Sequence, residues 1–117
     1  MALTNLTIIN TTWGGVDVPL VDADETNGNK FLNNGATRLR LKNTSGTDPA
    51  TVTIKSPKTV SGLAVADQVI TLAFGDERFC KPFDPDIFNI QSGADVGYVE
   101  VEITGTAAAS VQIAAFI

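Results

Sequence analysis

From Tyr98 to Thr104 the sequence alternates strictly, with Val99, Val101 and Ile103 on one side and Tyr98, Glu100 and Glu102 on the other. A period of two is met by an extended strand with one buried face, and by no helix. The same rule holds in residues 36–42, where Leu39 and Leu41 alternate with Arg38, Arg40 and Lys42, and in residues 51–55, where Val52 and Ile54 point inward. It returns in residues 110–117, with Val111, Ile113, Ala115 and Ile117 on one face. Residues 3–9 offer a first strand, with Leu6 and Ile8 on one face. Val18, Leu20 and Val21 offer a second, which Pro19 demotes to an edge. Residues 68–74 are a continuous apolar run stopped by Gly75, which predicts a strand covered on both faces.

Roughly seven or eight short strands with regular turn signals describe an all-β domain, a small antiparallel sandwich or barrel of jelly-roll or immunoglobulin-like type. The expected unit is a single domain over residues 1–117, with residues 1–30 an arm or edge region. Asn34-Gly35 predicts a hairpin turn. The polar loop over residues 43–49 predicts that the strands on either side of it pair antiparallel. Residues 59–67 are weakly patterned and read as a connection, at most with a turn of helix.

Between Gly75 and Asn89 the pattern stops. Pro82 and Pro85 fix their own φ and push Lys81 and Asp84 out of the helical region, while Phe79, Phe83 and Phe88 must find pockets. Such a segment reads as a structured crossing between sheets, its aromatic rings closing a core or anchoring a neighbouring subunit.

Composition narrows the function. With 44% hydrophobic and 18% charged residues, a chain of 117 residues is globular, and its net charge of −5 argues against nucleic acid, which needs a clustered basic face. No apolar run is long enough to span a membrane, and the first residues lack the basic and apolar regions of a signal peptide, so synthesis in a cytoplasm is expected. The single Cys80 allows no internal disulfide.

Histidine is absent, which removes the usual general base, the nucleophile pairs built on it and most zinc sites. Asp84 with Asp86 and Glu100 with Glu102 are carboxylate pairs of the kind glycosidases use. The first flanks Pro85 in a turn, however, and the second lies on an outward strand face. Asp22, Asp24 and Glu25 before Asn27-Gly28 lack the ligand order of a calcium loop, and Cys80 without a histidine partner reads as a buried, inert thiol. No catalytic set, metal or cofactor is expected. What remains is surface: a basic stripe of Arg38, Arg40 and Lys42, an acidic one of Glu100 and Glu102 that could pair with it across strands or subunits, and Trp13 beside Gly14-Gly15 as core lid or exposed contact.

The order of motifs adds a resemblance. Lys30-Phe-Leu-Asn-Asn-Gly-Ala-Thr37 runs into Leu39-Arg-Leu-Lys-Asn43, followed by Thr51-Val-Thr-Ile54, Gly75-Asp-Glu-Arg78, Pro82-Phe83, Phe88-Asn89 and Val111-Gln-Ile-Ala-Ala115. From Phe31 onward this succession resembles the head-decoration, or cement, proteins of tailed bacteriophages. The resemblance implies a non-enzymatic virion protein on the capsid exterior, binding the major capsid protein as a homotrimer at three-fold positions. Trp13, Arg38, Arg40, Phe79, Phe83 and Phe88 are then the expected interface residues. A carbohydrate- or receptor-binding sandwich and a tail or neck component are the rival readings.

Overall fold

The computed structural model describes residues 3–117. Met1 and Ala2, at the start of the expected arm, lie outside the described residues. The chain runs through β1 (Thr4–Asn5), β2 (Ile8–Ile9), β3 (Val21–Asp22), β4 (Asn29–Leu32), β5 (Arg38–Asn43) and β6 (Ala50–Ile54). It continues through β7 (Thr59–Val60), β8 (Leu63–Ala64), β9 (Gln68–Leu72), β10 (Glu77–Phe79), the one-turn helix α1 (Pro85–Phe88), β11 (Tyr98–Thr104) and β12 (Val111–Phe116). Two sheets carry the fold. The first has the order β1-β4-β11-β6-β9, and the second β10-β5-β12-β2, with β3 also pairing β12.

The alternating segments supply the inner faces. Val99, Val101 and Ile103 of β11 and Val52 and Ile54 of β6 meet Leu39 and Leu41 of β5 and Val111, Ile113 and Ala115 of β12 in one buried cluster, joined by Phe31, Leu72 and Phe83. Truncating one of these large side chains to alanine costs about 2–5 kcal/mol, so the two layers hold each other in place. The domain is therefore all-β and layered, as the periodicity requires.

Pairing departs from expectation in several places. Residues 33–37 are not a hairpin turn, because β4 lies in the first sheet and β5 in the second. Gly35 does take a positive φ of 96°, but the bend carries the chain across the core instead of back along it. Nor do β5 and β6 pair; β5 lies between β10 and β12, and β6 between β11 and β9. Here the buried side chain of Asn43 donates to the carbonyls of Asp48 (3.0 Å) and Leu72 (3.2 Å) and turns the chain from one sheet to the other.

The apolar run of residues 68–74 is not covered on both faces. β9 is the edge of the first sheet, with Leu72 buried and Val69 exposed, because none of the described residues packs on its outer side. Residues 3–9 form two short strands instead of one. β1 runs parallel to β4 in the first sheet and β2 parallel to β12 in the second, so the sheets are mixed at this side and buried Leu6 marks the step between them. Residues 59–67 hold the β7–β8 hairpin, and Ser61 (φ 53°) and Gly62 (φ 80°) make its two-residue turn.

The irregular segments are tied by a reciprocal amide pair. The Asn33 Nδ2 donates to Asn89 Oδ1 at 2.8 Å and to the Phe83 carbonyl at 3.1 Å, while Asn89 Nδ2 donates back to the Asn33 carbonyl at 2.8 Å and to the Gly97 carbonyl at 3.3 Å. Both residues are buried. Asn89→Ala strands a buried donor and a buried carbonyl, and is expected to cost about 2–3 kcal/mol in urea unfolding. The Asn33→Ala, Asn89→Ala double variant should lose clearly less than the sum of the two single losses; simple additivity would show that the pair does not act as a unit.

Candidate functional site

The outer face of the second sheet collects aromatic and guanidinium groups. Register sets this: β10 places Phe79 opposite Arg40, and β12 places Phe116 opposite Arg38. The Arg40 guanidinium carbon lies 5.6 Å from the Phe79 ring centre and that of Arg38 lies 5.5 Å from the Phe116 ring centre. The two rings meet edge to face at 6.4 Å. Arg40 is further held by Glu77 (Nε to Oε2, 2.6 Å) and the Val18 carbonyl (Nη1, 2.8 Å), and Arg38 Nε donates to the Cys80 carbonyl at 3.1 Å. Cation–π contacts at exposed sites are worth about 0.5–1 kcal/mol each. Their main effect here is to hold in place a strip whose Phe79 remains 59% exposed.

Trp13 is at the surface. Its turn closes through Gly15 N–H to the Thr12 carbonyl (3.0 Å), with the Thr12 hydroxyl donating to the Gly15 carbonyl (3.2 Å), and the indole is 108% exposed relative to the reference residue. The base of the turn is fastened to the last residue: Ile117 N–H donates to the Ile9 carbonyl, and the Thr11 N–H and hydroxyl both donate to the Ile117 carbonyl. The large ring thus stands on a fixed base beside the end of β12.

Phe83 and Phe88 turn mainly inward. Phe83 is only 7% exposed and packs against Phe31 (5.6 Å) and, edge to face, Phe88 (5.4 Å), while Phe88 is itself packed on the core. Pro82 and Pro85 bring both rings inward, and Asp84 caps α1 by accepting from the Asp86 N–H at 2.9 Å. The crossing uses these rings to close its own sandwich. Beside it, Ile70 of β9 together with Cys80, Pro82, Phe83, Ile87 and Phe88 line an open apolar groove of about 530 Å³.

The two charged stripes lie on different sheets and do not pair with each other within the chain. Arg40 pairs with Glu77, and Glu102 pairs with Lys55 at 3.2 Å, a hydrogen bond that raises the lysine pKa. Asp24 serves its own loop: it accepts from the Thr4 hydroxyl and from the Thr26 and Asn27 N–H groups, with the Thr4 bond the largest cause of its lowered pKa. Among the described residues no group of three or more metal-ligating side chains converges. Burial pushes the Cys80 thiol up, against the opposing charges of Arg38 and Arg78.

Sequence reading missed two surface features. Phe116 follows from the alternation of β12, since it lies on the face opposite Ile113. The Val60 and Leu63 pair follows from the Ser61-Gly62 turn signal. No protein-family model matches this chain, and comparison with curated proteins and with solved structures returns no match.

Two outcomes are expected. Cys80 should react with a thiol reagent at neutral pH at least tenfold more slowly in the folded than in the urea-unfolded protein, because its thiolate is disfavoured by burial. Asp24, whose pKa is depressed on folding, supports its loop above the unfolded value near 4, and that support is lost as pH falls through the lower folded value. Amide exchange at Thr26 and Asn27, compared at equal intrinsic rate, should therefore become less protected at acid pH in wild type, and the change should begin at higher pH in Thr4→Val.

Proposed function

We propose that this chain is a structural protein of a tailed-phage virion, a cement protein that binds the exterior of the capsid as a homotrimer and holds neighbouring major capsid subunits together. Its sandwich is of the jelly-roll or immunoglobulin-like kind, and the edge region within residues 1–30 faces the shell. The observation that carries this reading is Trp13: a tryptophan 108% exposed on a fastened turn, more exposed than any other large apolar side chain among the described residues. A bare indole on a stiff support is the kind of group that dominates a protein contact, because little conformational freedom is lost when it is buried. Phe79 with Arg38 and Arg40 supplies a second contact of mixed apolar and cationic character.

The action is mass action. A ligand that binds the assembled shell and not its separated subunits stabilises the shell by RT ln(1 + [L]/Kd) per site, and three linked contacts make modest single affinities sufficient. Nothing in this requires a reaction. The protein works by being bound.

The test is co-sedimentation with expanded capsids of the virus that carries this chain, with the solution mass measured alongside by light scattering. Wild type should saturate the shells and have three times the monomer mass. Trp13→Ala should weaken shell binding at least about 30-fold, the equivalent of a 2 kcal/mol contact, with its unfolding midpoint unchanged. Failure of the wild-type protein to bind expanded shells would sink the proposal.

A further inference from the structure

The β7–β8 hairpin is the least explained part of the molecule. Among the described residues it pairs with no other strand, and every residue from Thr59 to Ala64 is exposed, Leu63 at 74% and Val60 at 53%. A two-stranded hairpin without a sheet or helix behind it is marginal in water. This one also carries no charge from Thr59 to Ala66, although charge is the usual protection of an exposed edge.

Its root is held firmly. Val65 N–H donates to the Lys58 carbonyl (2.9 Å), Ser56 N–H to Asp67 Oδ1 (2.7 Å), the Ser56 hydroxyl to the Ile87 carbonyl (2.8 Å), and Lys58 is ion-paired with Asp86. The base is therefore anchored to α1 while the apolar side chains of the tip stand in solvent.

The same chain presents an apolar receptacle. The groove beside β9 has a volume of about 530 Å³, within the range of pockets that enclose a compact ligand, and its charged lining residues, Lys81 and Asp84, are both exposed. An insert without charge leaves no buried ion behind, and the hairpin meets that condition.

We propose that the β7–β8 hairpin of one copy seats in the apolar groove of a second copy, with Leu63 as the plug. A specific contact needs about 1,200 Å² in total, more than one side chain supplies. The exposed edge of β9, whose Gln68 and Ile70 line the groove, extends the surface. The contact is heterologous, hairpin to groove, so it closes into a ring when the rotation between copies allows it. The inference names the protomer contact of the oligomer proposed above, and it rests on that reading only for the expectation of self-association.

The experiment is light scattering over a range of concentrations on wild type, Leu63→Asp and Val60→Asp, with circular dichroism and unfolding midpoint as fold controls. The wild-type oligomer should fall to monomer mass in Leu63→Asp with its fold controls unchanged. As a second arm, Leu63→Cys uses the native Cys80, which lines the groove: mixed isotope-labelled and unlabelled copies, joined by a short bismaleimide, should yield a cross-linked peptide pair, position 63 to Cys80, with the label on one peptide only. An unchanged mass in Leu63→Asp, a wild type monomeric throughout, or a cross-link confined to single copies would overturn the proposal. Shell binding is read separately. A Leu63→Asp protein that stays oligomeric and binds shells refutes the hairpin contact alone, whereas one that dissociates while wild type ignores shells refutes the capsid role alone.

Discussion

The arrangement depends on how two irregular crossings are held against one sandwich end. Asn33 and Asn89 exchange side-chain and main-chain hydrogen bonds, and between them also satisfy the carbonyls of Phe83 and Gly97. These segments could not hydrogen-bond as strands, since Pro82 and Pro85 lack the donor and the chain must change direction. Buried backbone groups left without partners would each cost on the order of 1–3 kcal/mol. The two amides replace the missing ladder and fix where Phe83 enters the core. Through that ring they set the floor of the groove beside β9.

The period-two segments were legible except at Ile117, which was expected on the inner face and is exposed beyond the end of β12. Leu39, Leu41, Val99, Val101, Ile103, Val111 and Ile113 lie inside as alternation demands, because one-sided burial acts residue by residue along a strand. Partner choice was not legible. Asn34-Gly35 carries the local chemistry of a hairpin, yet the same positive φ serves a corner between sheets, and only the burial of both inner faces decides between them. The exposed edge of β9 illustrates the same limit: Val69, Ile70 and Leu72 read as a buried strand, but whether a neighbour covers them depends on residues far away in sequence. Among the phenylalanines, residue type could not separate Phe79 from Phe83. With only Pro82 and two other residues between them, one lies on an outer face beside Arg40 and the other faces Phe31 across the core.

A division of labour runs through the surface. One set of side chains closes the sandwich, and a smaller set stands away from it on supports that are themselves well tied: Trp13 on its threonine-bonded turn, Phe79 between Arg40 and Phe116, Leu63 at the tip of a pinned hairpin. Exposed apolar groups on loose segments lose ordering entropy on contact. On stiff supports that cost is already met during folding, so the same area yields more affinity. Oppositely charged stripes lie on separate sheets, where the two cannot neutralise each other within one chain.

The position of β12 has a consequence for how the protein is made. This strand lies at the centre of the second sheet, between β5 on one side and β2 and β3 on the other, yet it comes after all of them in the sequence. On a ribosome, β2 and β3 emerge before it and must wait for their partner through the synthesis of β4 to β11. Until then half of the sandwich has no second layer, and the inner faces of β6 and β11 have little to close on. Folding of this domain is thus withheld until β12 has been made, which favours a single concerted step over gradual assembly and exposes the incomplete domain to chaperones and to premature association.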